Sequence, residues 1–388
     1  MNFEESEEIT QLRRTLRRFV EDYAPRAEAA QWDAEYVFPE RAYQKLASLG
    51  VMGLTVPEEY GGMGQNIPAA MVVIEELSRR SLALSVPYVL SACYGGMNIL
   101  SGGSEAQKRA MLPRCAEGSM MLAFGMTEPD VGGDIASVRT TASRRGDRIV
   151  VNGTKRYITG ANLADYIYTL VRSDPALPRY QNLSILLVPR DAEGVTIRRL
   201  DMMGMRSGAW TCEVIFDEVE VGPEAIVGGE DRWNQGWQLL AGPGLDVEKL
   251  EVSAMALGLA DAAVDDAWNY AESREQFGKP ISSYTNIRHM LADAKTDLLA
   301  CRLLLRHAAA LAQEGRHCSV ESSMAKLFIC ERAKQIVLNC QLILGAYGCD
   351  GEFDMQRYVR DILILPIAGG SSAIQRNNLA KRLRLRLE

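Results

Sequence analysis

Histidine is scarce in this chain: three among 388 residues, His289, His307 and His317. None stands with nearby carboxylates at a ligand spacing, which excludes an obvious histidine-based metal centre, and no metal is expected. Eight cysteines are present, at 93, 115, 212, 301, 318, 330, 340 and 349, but no two have C-x-x-C spacing. An even count allows disulfides. A chain of this size needs no covalent staples, however, and most of these residues have apolar neighbours, so free thiols in a reducing cytoplasm are expected. An excess of positive charge is missing too. The net charge of −7 argues against nucleic acid as a partner. The short basic end, Lys381-Arg382-Leu383-Arg384-Leu385-Arg386, alternates with leucine and reads as a solvated helix end. No apolar run approaches the roughly 20 residues of a membrane span. The acidic start, Met1 to Glu8, has the character of neither a signal nor a transit peptide. A G-x-G-x-x-G turn after a strand pattern is also absent, which removes a Rossmann dinucleotide site.

What is present is an ordinary globular composition, 47% hydrophobic and 24% charged, long enough for two or three domains. From Glu4 to about Ser119 the apolar spacing is helical; Ile9, Leu12, Leu16, Phe19 and Val20 recur at i, i+3, i+4. Short helices are expected over Tyr43–Leu49, closed by Gly50, then over Ala69–Leu84, Val86–Ser101 and Glu105–Cys115. After Gly125 the period changes. Arg148–Asn152, Tyr166–Val171, Leu183–Val188, Val195–Arg198 and Glu213–Phe216 are short and β-branched, with Asn152-Gly153 reading as a turn. Long helices return over Leu245–Arg274, Ile287–Gln313 and Ser319–Leu344, with Asp354–Leu363 and Ile374–Leu387 after them. Helices, strands and helices in blocks argue for an α+β chain rather than a doubly wound fold. The expected domains are an N-terminal α-helical domain (1–120), a small middle β domain of barrel or sandwich type (121–230) and a C-terminal helical bundle (231–388).

Between the first two blocks runs Phe124-Gly-Met-Thr-Glu-Pro-Asp-Val-Gly-Gly-Asp134. Gly132 and Gly133 lack Cβ, so their N–H groups can approach a flat or anionic group. Pro129 stops a helix running through. Thr127 offers a hydroxyl and Met126 an apolar surface for a ring. By composition alone the same stretch also reads as a surface turn between domains.

This loop resembles the signature of the acyl-CoA dehydrogenase family. Three further segments match that family in register: Lys155-Arg-Tyr-Ile-Thr-Gly-Ala161, Glu272-Ser-Arg-Glu-Gln-Phe-Gly-Lys-Pro280 and Gly369-Gly-Ser-Ser-Ala-Ile-Gln-Arg376. The resemblance runs over nearly the whole chain and implies a C-terminal four-helix bundle, FAD as cofactor, and oxidation of an acyl thioester at Cα–Cβ. A carboxylate would take the α proton, donors would hold the thioester oxygen, the flavin would accept the β hydride, and water would be kept out.

On the same resemblance Phe124, Met126, Thr127, Gly132, Gly133, Tyr157 and Thr159 would lie against the flavin ring. Arg274 and Phe277 would reach the adenine and pyrophosphate of FAD in a neighbouring subunit, and Gln276, Tyr284, Gly345 and Ser371 join the cofactor set. A homotetramer or homodimer is implied. Gly133 stands where the family usually has Ser. Thr285, Leu342 and Ala373 stand where it has Gln, so several polar contacts to FAD are lost. Aligning Ile374-Gln-Arg376 puts Gly369 at the usual catalytic glutamate. Its N–H remains available to the thioester carbonyl, and the missing side chain would leave room for branched, cyclic or functionalised acyl groups. Gly244-Leu-Asp-Val-Glu-Lys-Leu-Glu251 resembles the helix that carries the base in isovaleryl-CoA dehydrogenase, which makes Glu248 the expected base and Glu251 the alternative. Asp246, Lys249 and Gly133 would contact the substrate. An electron-transferring flavoprotein is the implied acceptor, and an acyl-carrier-protein thioester can replace acyl-CoA.

Other readings stay open at this stage. The same scaffold can run as an enoyl-CoA reductase of the crotonobetainyl-CoA reductase type, with the glutamate as acid. It can also be an oxygen-using flavin enzyme, or a helical scaffold protein without chemistry.

Overall fold

The computed structural model describes residues 5–241 and 243–384. The first four residues of the acidic start, and Leu385, Arg386 and Leu387 of the expected terminal helix, lie outside them.

Helix α1 (Glu7–Tyr23) turns Leu16, Phe19 and Val20 inward and starts on the Ser6 hydroxyl, which accepts the Ile9 N–H. α2 (Arg26–Glu35) was not expected; its alanines and glutamates show little apolar period, yet it buries Ala29 and Trp32. α3 (Glu40–Ala47) precedes Gly50, whose φ of 78° marks the expected left-handed stop. α4 (Ile67–Arg80) and α5 (Leu82–Tyr88) follow. The break between them falls at Ser81, not near Ser85. Ser81 is extended and its Oγ takes the Ala83 N–H at 3.1 Å, so a side-chain cap sets a boundary that periodicity does not show. A π-helical stretch, Val89–Met97, leads into α6 (Asn98–Gly102), then α7 (Glu105–Glu117). The run Leu82–Gly102 corrects the expectation about membrane-length segments. Its 21 residues, mean hydropathy 1.2, are long and apolar enough to cross a bilayer, but 89% of its most apolar window is buried inside the fold.

The middle block is one seven-stranded sheet: β1 (Leu122–Gly125), β2 (Thr141–Arg145), β3 (Arg148–Thr159), β4 (Tyr166–Arg172), β5 (Leu183–Pro189), β6 (Val195–Arg199) and β7 (Thr211–Val221). The order is β1-β4-β2-β3-β7-β6, with β5 also paired to β4. β1 and β2 carry no alternation strong enough to be expected as strands. Asn152-Gly153 is not a turn. It is a bulge inside β3, where Gly153 has φ 146° and a Cβ would come 2.6 Å from Thr140 Oγ1. A second bulge between Arg156 and Ile158 holds Tyr157 at φ 63°.

After α8 (Gly236–Leu240) the chain enters α9 (Pro243–Ser273), then the hairpin β8 (Glu275–Gln276) and β9 (Lys279–Pro280). α10 (Thr285–Gln313), α11 (Ser319–Leu344), α12 (Met355–Ile362) and α13 (Ser372–Arg382) complete the bundle. α9 packs on α10, α11 and α4, so the two helical blocks share one core. That approach is close: a Cβ at Gly258 of α9 would meet the Glu75 carbonyl of α4 at 2.2 Å. The architecture is thus a helical N-terminal domain, a β-sheet domain and a helical C-terminal domain. All eight cysteines are free, and only Cys349 is exposed.

Candidate active site

The loop after β1 is fixed by a buried ion pair. Glu128 Oε1 takes Lys155 Nζ at 2.9 Å, and its carboxylate also accepts the Arg139 and Thr140 N–H groups. Both side chains are almost wholly buried. Burial acts to raise the Glu128 carboxyl, but Lys155 and the hydrogen bonds outweigh it and leave it below its ordinary value. Burial pulls Lys155 down to about 8 against the attraction of Glu128. Lys155 also donates to the Met126 carbonyl, and the Arg156 N–H donates to Thr127 O at 2.8 Å. The loop therefore docks on β3 beside Tyr157 and Thr159. Glu128 and Lys155 lie inside two of the family-like segments, and their opposite charges are the one sequence signal of this pairing.

With the loop held, several donors stay open. Among the described residues the N–H groups of Gly132 and Gly133 and the Thr127 hydroxyl have no hydrogen-bond partner. A Cβ at Gly132 would meet nothing within 4 Å. Tyr157 is 54% exposed, its ring presented by the positive φ, and Thr159 lies half-buried on the same strand. Met126 departs from expectation: its side chain is packed in the core, and its N–H and carbonyl are taken by Phe124 and Lys155. Phe124 stacks between Tyr94 and Tyr168, with centroid distances of 4.9 and 5.1 Å. Gly133 faces Ile374, where a Cβ would stand 3.0 Å from the Ile374 side chain, so the loop and the start of α13 meet. Ser371 caps α13 through the Ile374 N–H. Open amide donors beside an exposed aromatic ring, on a glycine surface, suit a flat polar-edged ring system.

Glu248 lies on the first turns of α9, half-buried. Desolvation raises its carboxyl to about 7, opposed by Lys249, Lys326 and the phenol of Tyr94. Glu251, one turn on, is 3% exposed, and among the described residues its Oε2 has no hydrogen-bond partner. Burial first, and Glu248 second, push it well above the usual carboxylate range. Gly369 comes up against the same helix: a Cβ there would meet Val252 Cγ2 at 3.0 Å. The space left by the missing side chain is thus partly closed by Val252. Gln375 Nε2 donates to the Gly369 and Gly370 carbonyls at 3.3 and 2.9 Å. Among the described residues the Gly369 N–H has no acceptor.

Asp246 and Lys249 are turned into the contact with α11. Lys249 Nζ donates to Asp246 at 2.8 Å, and Ser319 and Ser322 donate to the same carboxylate. Both head groups, expected at the substrate, are already satisfied within the helix pair.

The remaining expected cofactor residues form a separate cluster. Arg274 follows the end of α9, its guanidinium 5.7 Å from the Tyr347 ring. Phe277, at φ 52°, is the 93%-exposed tip of the β8–β9 hairpin, and Tyr284 donates to the Gln276 carbonyl. Gly345 begins the turn that carries Tyr347, and the nearby Leu342 is 72% exposed. Along a straight α9, Glu248 and Arg274 are about 39 Å apart. One chain does not bring the two clusters together.

Three family models cover this chain: the acyl-CoA dehydrogenase N-terminal domain over residues 6–119, the middle domain over 123–219 and the C-terminal domain over 234–384. An acyl-CoA dehydrogenase of Bacillus subtilis (strain 168) is 35% identical over 97% of this chain and 98% of its own length. A 3-(aryl)acrylate reductase of Clostridium sporogenes is 36% identical over 99% and 100%. The structure of a glutaryl-coenzyme A dehydrogenase–glutaryl-CoA complex superposes with a TM-score of 0.93 at 33% identity, covering 100% of this chain and 98% of that one. The chain belongs to the acyl-CoA dehydrogenase family, oxidoreductases that act on CH–CH groups and use FAD.

Proposed function

We propose that this enzyme dehydrogenates an acyl-CoA between Cα and Cβ, with Glu248 as the base. The observation that carries the reading is the pairing of Glu248, whose carboxyl is raised to about 7 by burial, with the Gly369 N–H, which has no acceptor among the described residues and stands one helical turn further along the same wall. A base is most effective when its pKa lies near working pH. Glu251 is almost fully buried and burial pushes its carboxyl well above the usual range, which makes it the less suited of the two.

Bound FAD supplies the two-electron acceptor for the hydride that leaves Cβ. The residues of the chain do the rest. Thr127, Gly132 and Gly133 offer donors to the ring edge, and Tyr157 shields it. The Gly369 N–H donates to the thioester oxygen, whose negative charge grows as the α proton leaves. Gln375 fixes that amide by taking the loop's carbonyls out of play. Glu248 receives the proton. Arg274, Gln276, Phe277, Tyr284 and Gly345 serve the FAD of a second subunit, because their cluster stands too far from the base to act on the same cofactor. The assembly is therefore at least a dimer, with an electron-transferring flavoprotein as acceptor.

A second reading has its own support: a relative 36% identical over essentially the full length is named a 3-(aryl)acrylate reductase. In that direction Glu248 is the acid that protonates Cα. One experiment separates these. The FAD-loaded protein is mixed without oxygen with straight, branched and aryl-bearing acyl-CoAs, and the dithionite-reduced protein with their enoyl counterparts. Bleaching by acyl-CoA in the wild type and not in Glu248→Gln supports dehydrogenation. Reoxidation by enoyl-CoA alone supports reduction. Equal responses in both proteins remove Glu248.

A further inference from the structure

Three rings form one stacked run beside the glycine-rich loop. Tyr94 lies 4.9 Å from Phe124 with 27° between the planes, and Phe124 lies 5.1 Å from Tyr168 with 10° between them. The two ends of the run differ. Tyr168, on β4, is 3% exposed. Tyr94 is half-buried, and among the described residues no ring beyond Phe124 is stacked on it. Tyr94 packs on one side against the apolar cluster that holds Met126 and Leu240, and on the other against the cluster that holds Val247, Leu250 and Val252 of α9. The accessible end of the run therefore stands between the loop and the helix that carries Glu248.

The backbone beneath Tyr94 is fixed. It belongs to the π-helical stretch Val89–Met97. Leu90 fills the place of the missing Cβ of Gly160, at the end of the strand that presents Tyr157 and Thr159. A Cβ at Gly95 would come 2.6 Å from Cys115 Sγ, and one at Gly96 2.7 Å from Thr55 Oγ1. On the opposite side of the slot, Val252 takes part of the space that Gly369 leaves. The volume for the far end of an acyl group is thus on the side that Tyr94 bounds.

We propose that Tyr94 is a specificity-determining residue: the accessible end of the ring run takes an aromatic ring carried at or beyond Cβ of the acyl group. This rests on the acyl slot lying between α9 and the glycine-rich loop, as in the proposed function. An offset stack accepts a further ring on its outer face, whereas a saturated ring of similar bulk offers no π face.

The test uses the FAD-loaded enzyme with 3-phenylpropionyl-CoA and 3-cyclohexylpropionyl-CoA, or with their enoyl counterparts in the reducing direction. The ratio of the two kcat/KM values is measured for wild type, Tyr94→Phe and Tyr94→Leu. The intrinsic reactivity of each compound is the same in every protein, so the change in the ratio is the readout. Tyr94→Leu is expected to lower the phenyl preference by about fivefold, the size of one ring–ring contact, and Tyr94→Phe to keep it. A ratio unmoved in Tyr94→Leu, or no reaction of the phenyl compound with the wild type, overturns the proposal. Glu248→Gln is run alongside: activity that survives there removes the base assignment alone, and the ratio still decides this proposal. If Tyr94→Leu fails to fold or to hold FAD, substrate electronics decide. The pentafluorophenyl analogue, an electron-poor ring, should bind Glu248→Gln more tightly than the phenyl compound, read from the flavin difference spectrum. Equal or weaker binding overturns the proposal.

Discussion

Gly369 stands against Val252, close enough that a single methyl group on the glycine would lie 3.0 Å from the valine's Cγ2. The loop and the helix that share the slot are thus in contact at a position where no side chain is accommodated. Gly369 also has φ 60°, a left-handed value that costs an L-residue strain. Gly369→Ala is expected to cost about 1–2 kcal/mol. Val252→Ala in the same background should relieve the contact and leave the strain. Denaturant unfolding of the three proteins checks this; an Ala substitution without cost would show that the loop is not held where it is described.

Glu128 and Lys155 are expected to control cofactor retention rather than chemistry. Glu128→Gln strands a fully buried ammonium, a loss of about 3–5 kcal/mol for a buried pair broken on one side. The loop loses its anchor at the same time. Flavin absorbance after gel filtration should fall well below that of wild type, while turnover per bound flavin changes little. Unchanged FAD content would contradict the anchoring role.

Asp246 and Lys249 predict an asymmetry. Asp246→Asn leaves the buried Lys249 without its carboxylate and should cost about 3 kcal/mol. Lys249→Met leaves Asp246 with the Ser319 and Ser322 hydroxyls and should cost less. Equal losses would mean that the serines contribute nothing to holding the charge.

Much of this arrangement is legible in the sequence, and the rest is not for identifiable reasons. The long helices announce themselves by apolar period: the α11 bounds, Ser319–Leu344, coincide with those read from the sequence. The break at Ser81 depends on one hydroxyl finding one amide, which no window average detects. The Asn-Gly pair at 152–153 fits a turn by local preference, but two neighbouring strands pair across it and the sheet absorbs it as a bulge. At the site, register makes Glu248 and Gly369 the expected pair, and the fold sets Gly369 against the helix that carries Glu248. The burial of Asp246 and Lys249 does not, because only the packing of α9 on α11 decides which way those side chains turn. The π-helical turn over Val89–Met97 left no signal at all, because a π-helix has no composition that marks it.

Stability should depend on pH through Glu248. The folded protein holds this proton with a pKa of about 7 against an ordinary 4.5. The folded state therefore binds the proton more tightly than the unfolded chain. Stability from this group is full at low pH and is lost as pH rises through that interval, about 3 kcal/mol in all. Glu248→Gln should unfold at a higher temperature than wild type at pH 8, with the difference gone below pH 4.5. A wild type that is the more stable protein at pH 8 would show that Glu248 is not desolvated.

The most direct test of the central claim is exchange of the substrate's α proton for deuterium. FAD-loaded wild type, Glu248→Gln and Glu251→Gln are incubated in heavy water, without an electron acceptor, with the acyl-CoA that binds best. Glu248 as base predicts exchange in the wild type and in Glu251→Gln, and a loss of about a hundredfold or more in Glu248→Gln. Exchange that survives in Glu248→Gln and disappears in Glu251→Gln would contradict it.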